Sequence, residues 1–252
     1  MKKPLIGTNW KMNLTSSRAA AYCASLRSLL ADIDDRTLFV LPPFTAISAA
    51  REALTDSNIL WGAQEVHPDD EGAHTGDVSA SMLADLGCTV VEVGHHERRR
   101  DYHEDDELIA RKVEAAQRWG MAAILCIGEA ARLTYEQASD HVLGQLRFLE
   151  RFDQGRLVIA YEPAWAIGTG AEPAGVDWVE SIHSVIRGRV ASVAGSGTPA
   201  LVIYGGSVDV ASAGDLISCP GVDGLFVGRA ALNPEVFSAI AHAQVRSRTG
   251  RD

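Results

Sequence analysis

Apolar residues fall in short runs along the chain, at residues 5–9, 37–41, 59–63, 89–93, 122–126, 157–161, 201–204 and 224–227. Most of these runs are rich in β-branched residues and stop at turn-forming ones, which predicts strands. They do not alternate cleanly with polar residues, so both faces of each strand are expected to be buried, as in a parallel sheet covered by helices. Between them lie helix-like stretches at 16–30, 82–86, 107–119, 135–150, 177–187 and 211–217. In 107–119, Leu108, Ile109, Val113 and Ala116 share one face, and in 135–150, Ala138, Val142, Leu146 and Leu149 do the same. Gly87 and Gly120 stand where C-terminal caps are expected.

Eight strands alternating with helices predict an α/β fold: a closed (β/α)8 barrel of eight parallel strands inside an outer ring of helices. The 252 residues suit one such barrel, so residues 1–252 are expected to form a single domain. An open doubly wound sheet is the structural competitor, but no GxGxxG follows the first strand and no linker divides the chain.

A formal net charge of -10 argues against a nucleic-acid partner, which requires a basic face. It leaves room for a small anionic ligand held by a few local donors. The cysteines Cys23, Cys88, Cys126 and Cys219 form no CxxC pair and are expected as free thiols of a reducing compartment. The opening MKKPLIGTNWKMN has no long apolar run, and no segment reaches membrane-spanning length, so no membrane association and a cytoplasmic location are expected. No HxH or HExxH arrangement occurs, so a zinc site is not expected.

The unusual polar residues follow the predicted strands: Asn9 and Lys11 after the first, His95 to Arg98 after the fourth, Glu162 after the sixth, Gly205 to Ser207 after the seventh, Gly228 and Arg229 after the eighth. In a barrel these ends converge on the face where chemistry is built. A carboxylate there can take a proton from carbon beside a carbonyl, an imidazole can polarise the oxygen, and an ammonium can stabilise negative charge. Glycine amides and Ser207 can hold phosphate oxygens. Taken singly, each has a plainer reading: Lys11 as a surface lysine, Glu162 as a helix-start carboxylate, His95 as a surface residue. The acidic run 104–107 reads as a solvated helix start, and Trp61, Trp119 and Trp178 as packing residues. Trp165 reads as an anchor for one end of a moving segment.

Several stretches in this order resemble the triosephosphate isomerase family: GTNWKMN (7–13), LPPFTA (41–46), GAQEVHPDDEGAHTGDVS (62–79), EVGHHERR (92–99), CIGE (126–129), AYEPAWAIGTG (160–170), YGGSV (204–208) and DGLFVG (223–228). The resemblance implies an isomerase acting on a small phosphorylated ketose or aldose without a cofactor. It implies Glu162 as base, His95 as electrophile and Lys11 as the cation, with Asn9, Gly168, Ser207 and Gly228 at the substrate and Glu97 supporting the lysine. Residues 163–170 would be a lid, and the loop 66–78 would reach a partner subunit in a homodimer. Members of this family are themselves the established case of a glutamate base working with a neutral histidine.

The chain departs from the family at three places. His96 stands where Ser is usual, Glu65 where Asn is usual, and Gly228–Arg229 where Gly-Gly is usual. Arg229 can pair with phosphate or an extra hydroxyl if it turns inward, and is a neutral surface change if it turns outward. The Gly-Arg pair also resembles a sister branch, acting on L-erythrulose 1-phosphate to give D-erythrulose 4-phosphate in erythritol breakdown. His96 and Arg229 are therefore expected to tune which ketose phosphate is accepted.

Overall fold

The computed structural model describes residues 1, 3–168 and 170–245. Eight parallel strands close into a barrel in the order β1 to β8: Leu5–Asn9, Thr37–Leu41, Ile59–Ala63, Val90–Val93, Ala122–Ile127, Leu157–Tyr161, Leu201–Tyr204 and Gly224–Val227. Leu5 sits beside Thr37 on one side and Gly224 on the other, which closes the ring. The strands match the apolar runs of the sequence to within a residue at either end.

Because side chains alternate along a strand, each strand has an axial and an outer row. The axial row forms its own cluster, with Leu5, Phe39, Leu41, Val90, Ile124, Val158, Ile203 and Phe226 filling the lumen. The outer row packs beneath the helices in a much larger cluster that includes Ile6, Val40, Val91, Ile159 and Val202. Carrying the axial parity to the C-terminal strand ends brings Asn9, Glu92, Glu162, Gly205 and Gly228 toward the axis. The fold thereby builds a polar floor on an apolar plug.

Nine helices are described: α1 Ser16–Leu29, α2 Ile47–Leu54, α3 Ala80–Asp85, α4 His96–Asp101, α5 Asp106–Arg118, α6 Tyr135–Gln145, α7 Val176–Ala194, α8 Ala213–Ile217 and α9 Pro234–Ala241. Caps set several of their starts. Asp105 accepts from the Leu108 amide before α5, and Thr134 and Gln137 form a capping box at α6. Gly87 and Gly120 do take positive φ, at 75° and 78°.

The differences from expectation are local. The stretch 135–150 is helical only to Gln145; the break follows exposed Gly144, and Leu146 and Leu149 reach the core through a turn and a short 3-10 segment. The stretch 177–187 continues to Ala194, because Ile186 and Val190 bury on one face and outweigh the weak helix propensity of Gly188 between them. α2, α4 and α9 lack a long periodic face in sequence. The acidic run 104–107 is only partly a solvated helix start: Asp105 and Asp106 serve α5, but Glu104 turns inward. Trp119 is 44% exposed, and its indole donates to Asp70.

Candidate active site

At the C-terminal ends of the strands, a cleft of about 440 Å³ is lined by Lys11, His95, Glu162, Gly168, Ser207 and Gly228, among others. Asn9 and Arg229 also line it. The barrel therefore brings together every substrate-contacting residue expected from sequence. Of the expected lid, Thr169 lies outside the described residues.

Lys11 follows β1 with φ of 52°, a left-handed conformation uncommon for a side-chain-bearing residue. The turn is held on both sides: the Lys11 amide donates to Asn9 Oδ1 at 2.5 Å, and Gln64 Nε2 donates to the Lys11 carbonyl at 3.1 Å. Lys11 Nζ donates to Glu97 Oε1 at 2.8 Å. This pair is part-exposed, so it adds little to stability; what it does is aim the ammonium. Burial acts to raise the Glu97 carboxyl, but the Lys11 hydrogen bond and the nearby imidazoles outweigh it and hold it low.

His95 caps α4, its Nδ1 accepting from the Glu97 amide at 3.2 Å. An accepting Nδ1 carries no proton, so the neutral ring carries its proton on Nε2. Nε2 lies 3.6 Å from Glu162 Oε2. Burial lowers the His95 pKa to about 4, with His96 and Lys11 adding to it and Glu162 opposing. The ring is therefore neutral near pH 7.

Glu162 follows β6 and is 4% exposed. Its amide donates to the Ile127 carbonyl at 2.7 Å, extending the β5–β6 ladder to the residue itself. Oε2 makes no hydrogen bond and stands 3.7 Å from His96 Nδ1, which is likewise buried without a partner. Burial acts to raise the Glu162 carboxyl, while His95, His96 and Lys11 together outweigh it and hold it below the ordinary range. Two glycines press on this residue. A Cβ on Gly128, at φ 151°, would come 2.1 Å from the Glu162 carbonyl oxygen, and one on Gly205 would come 2.8 Å from its Cγ.

The segment after Glu162 is anchored where it leaves the barrel. Ala164 donates to the Glu129 carbonyl at 3.0 Å, and Trp165 Nε1 to Glu129 Oε1 at 2.8 Å. Tyr161 Oη donates to the same Glu129 oxygen, and Trp178 Nε1 donates in turn to Tyr161 Oη. The indoles of Trp165 and Trp178 meet edge to face, 6.1 Å apart. Gly168, at φ 126°, and Gly170, at φ 78°, stand at the other end of the segment, where side-chain-bearing residues would be strained.

The departures from the family have structural accounts of different depth. His96 stacks on His95 with ring centroids 4.2 Å apart, backs Glu162, and lines an adjoining cavity of about 500 Å³ that shares Lys11, Gly168 and Arg229 with the cleft. Glu65 belongs to a buried ion-pair network: it pairs with Arg98 and Lys112, each at 2.8 Å, and both cations also pair with Glu104. Arg229 is exposed at the cleft mouth beside Gly228.

Glu92 and Glu129, both fully buried, carry the site from behind and were not singled out from sequence. Glu129 sat in the CIGE stretch; Glu92 sat inside an apolar run, and a charge in a buried strand was the signal available. His67, Asp69 and His74 gather on the loop after β3 with donor atoms within 4.8 Å of one another. There His67 is paired with Asp77 and His74 with Asp69, contacts that account for both rings without an ion.

Residues 4–244 match the family model described as triosephosphate isomerase. The chain is 40% identical over 247 residues to the triosephosphate isomerase of Syntrophotalea carbinolica, covering 95% of this chain and 98% of that one. It is also 40% identical over 235 residues to the L-erythrulose-1-phosphate isomerase of Mesorhizobium japonicum, covering 90% and 91%. The crystal structure of triosephosphate isomerase from Bartonella henselae superposes with a TM-score of 0.83 at 33% identity, covering 96% and 98%.

Proposed function

The chain belongs to the triosephosphate isomerase family, and from that premise we propose that it interconverts dihydroxyacetone phosphate and D-glyceraldehyde 3-phosphate through an enediolate. One observation carries this reading: the side chains of Glu162, His95 and Lys11 face one cleft that Ser207 and Gly228 also line.

In this reading Glu162 removes a carbon-bound proton beside the carbonyl. His95 Nε2–H donates to the oxygen on which charge develops, and Lys11 adds positive field. A neutral imidazole suits the task, because a donor with a pKa far below that of the enediol would protonate it outright rather than share a hydrogen bond. Glu162, now carrying the proton, returns it to the adjacent carbon. Asn9, Gly168, Ser207 and Gly228 bind the substrate, Glu97 aims Lys11, and His96 braces Glu162. The segment 163–170, fastened at Glu129 and jointed at its glycines, closes over the phosphate and excludes water.

The enzyme works as a cytoplasmic homodimer in this reading. Residues 71–77 are all exposed, and Met12 (96%), Tyr102 (65%) and Phe44 (37%) leave an apolar rim beside Lys11. A long loop and an uncovered apolar rim next to the site fit a partner's surface.

The second reading is L-erythrulose 1-phosphate as substrate. Two observations favour it: Arg229, where the family usually has glycine, lines the cleft, and one relative is an erythrulose-phosphate isomerase. Measuring kcat/KM for both triose phosphates and for L-erythrulose 1-phosphate, in wild type and Arg229→Gly, separates the two. Preference for trioses supports the first reading. Preference for the tetrulose overturns it, and ratios unchanged in the variant remove Arg229 from specificity.

A further inference from the structure

The mechanism leaves one buried acid unused. Glu92 belongs to the axial row of β4, below Asn9, His95 and Glu162, and is 0% exposed. It does not line the cleft. One carboxyl oxygen accepts from Asn9 Nδ2, and the other from Cys126 Sγ at 3.3 Å. An oxygen of Glu92, a ring nitrogen of His95 and an oxygen of Glu162 all lie within 4.8 Å of one another.

A carboxyl buried at the top of the apolar lumen has a desolvation cost that its contacts must offset. Its contacts point to the site. Asn9, which it holds, accepts from the Lys11 amide and so fixes the left-handed turn that presents the ammonium. Its other near neighbour is the base. Two carboxyls with oxygens within 4.8 Å of each other, one of them wholly cut off from solvent, hold one proton between them near neutrality.

Which carboxyl keeps the proton follows from the surroundings. The titratable groups facing the pair are Lys11 beyond β1, His95 and His96 beyond β4, Cys126 on β5 and Glu162 itself, with Arg99 reaching the Cys126 carbonyl at 3.3 Å. His95 and His96 stand 3.6 and 3.7 Å from Glu162. Burial first, then the Glu162 charge, holds Glu92 well above the usual carboxylate range.

We propose that Glu92 is a positioning residue of the isomerase: a neutral carboxylic acid that clamps Asn9, and through it the Lys11 turn, and that keeps Glu162 ionised by holding the pair's proton. This rests on the enediolate reading of the site. When Glu92 loses its proton at alkaline pH, a second negative charge arises beneath the base and beneath the developing enediolate, and turnover falls.

The test has an arm that needs no substrate. In protein 13C-labelled at glutamate carboxyls, one resonance stays protonated at pH 7, titrates far above the others, and is missing from Glu92→Gln. In kinetics, Glu92→Gln keeps a neutral acceptor for Asn9, so kcat drops only about threefold at neutral pH while the alkaline fall disappears. Glu92→Leu leaves Asn9 Nδ2 buried without an acceptor, and kcat drops about tenfold at every pH with KM little changed. A Glu92 carboxyl already ionised at pH 7, or a Glu92→Gln pH profile superimposable on the wild type, overturns the proposal. A wild type inactive on every sugar phosphate overturns the isomerase reading instead, and the carboxyl titration still reports on Glu92.

Discussion

Gly205→Ala places one methyl group against the proposed base. Gly205 follows β7 directly, its amide donating to the Tyr161 carbonyl at 2.8 Å, so the backbone cannot retreat without breaking the ladder. The new Cβ would stand 2.8 Å from Glu162 Cγ and 3.0 Å from Oε1. Carbon–carbon contact is comfortable from about 3.5 Å, so the glutamate must move by about 0.7 Å. On its far side Oε2 already faces His95 and His96 at 3.6 and 3.7 Å, so the carboxylate is driven toward the imidazoles. A misplacement of about 1 Å costs roughly 10²-fold, which scales to about 20-fold here. The overpacking itself costs about 1–3 kcal/mol, which a barrel of this size withstands. A coupled assay of triose phosphate isomerisation with a circular-dichroism melt reads both quantities. The expected result is a folded protein with kcat down about 20-fold and KM much less affected. A folded variant with wild-type kcat would refute the placement of the base against Gly205.

Glu162→Asp shortens the base by one methylene and is expected to fold normally while losing roughly 10²-fold in kcat; equal turnover would remove Glu162 from its role. Gly188→Ala adds a methyl in α7 with nothing within 4 Å, and is expected to stabilise the protein by about 0.8–1 kcal/mol without touching kcat, measured by denaturant unfolding. Lys112→Met strands Glu65 and Glu104 in the buried network, so stability is expected to fall by about 3–5 kcal/mol; a calorimetric melt within a degree or two of wild type would contradict this. His95 and His183 are both held neutral by burial, with pKa values about 4 against an ordinary 6.5. The unfolded chain binds their protons first, so their contribution is complete above pH 6.5 and is lost as pH falls toward 4, at roughly 3 kcal/mol each. Unfolding free energies at pH 7 and pH 5 check the sign, and His183→Leu should flatten the slope.

The strands were legible because each is a short apolar run that ends at a turn, and the closed ring follows from their number and spacing. Lys11, His95 and Glu162 were legible because they interrupt that pattern at strand ends. Helix ends were less so: exposed Gly188 reads as a stop, yet Ile186 and Val190 find the core on either side of it. Glu104 read as part of a solvated helix start, because the network that buries it closes through Glu65, far off in sequence, which does not show in a local window. Glu92 was hidden for the opposite reason. It lies within a strand whose apolar run identified it, and only the barrel's axial parity reveals that its carboxyl reaches Asn9, Cys126 and the base.

The central claim is that Glu162 carries a substrate proton between adjacent carbons, and proton exchange tests it most directly. Dihydroxyacetone phosphate is turned over in D2O, with the glyceraldehyde 3-phosphate trapped as it forms and C2 read by proton NMR. A proton held on the Glu162 carboxyl exchanges in part with solvent when the lid opens during the lifetime of the enediolate. The account predicts product with deuterium at C2 and, in Glu162→Asp, slower formation of product labelled at the same carbon. Product bearing only protium at C2, in the wild type and equally in the slowed Glu162→Asp, would mean that the hydrogen never rests on an exchangeable carboxyl, and would contradict the account.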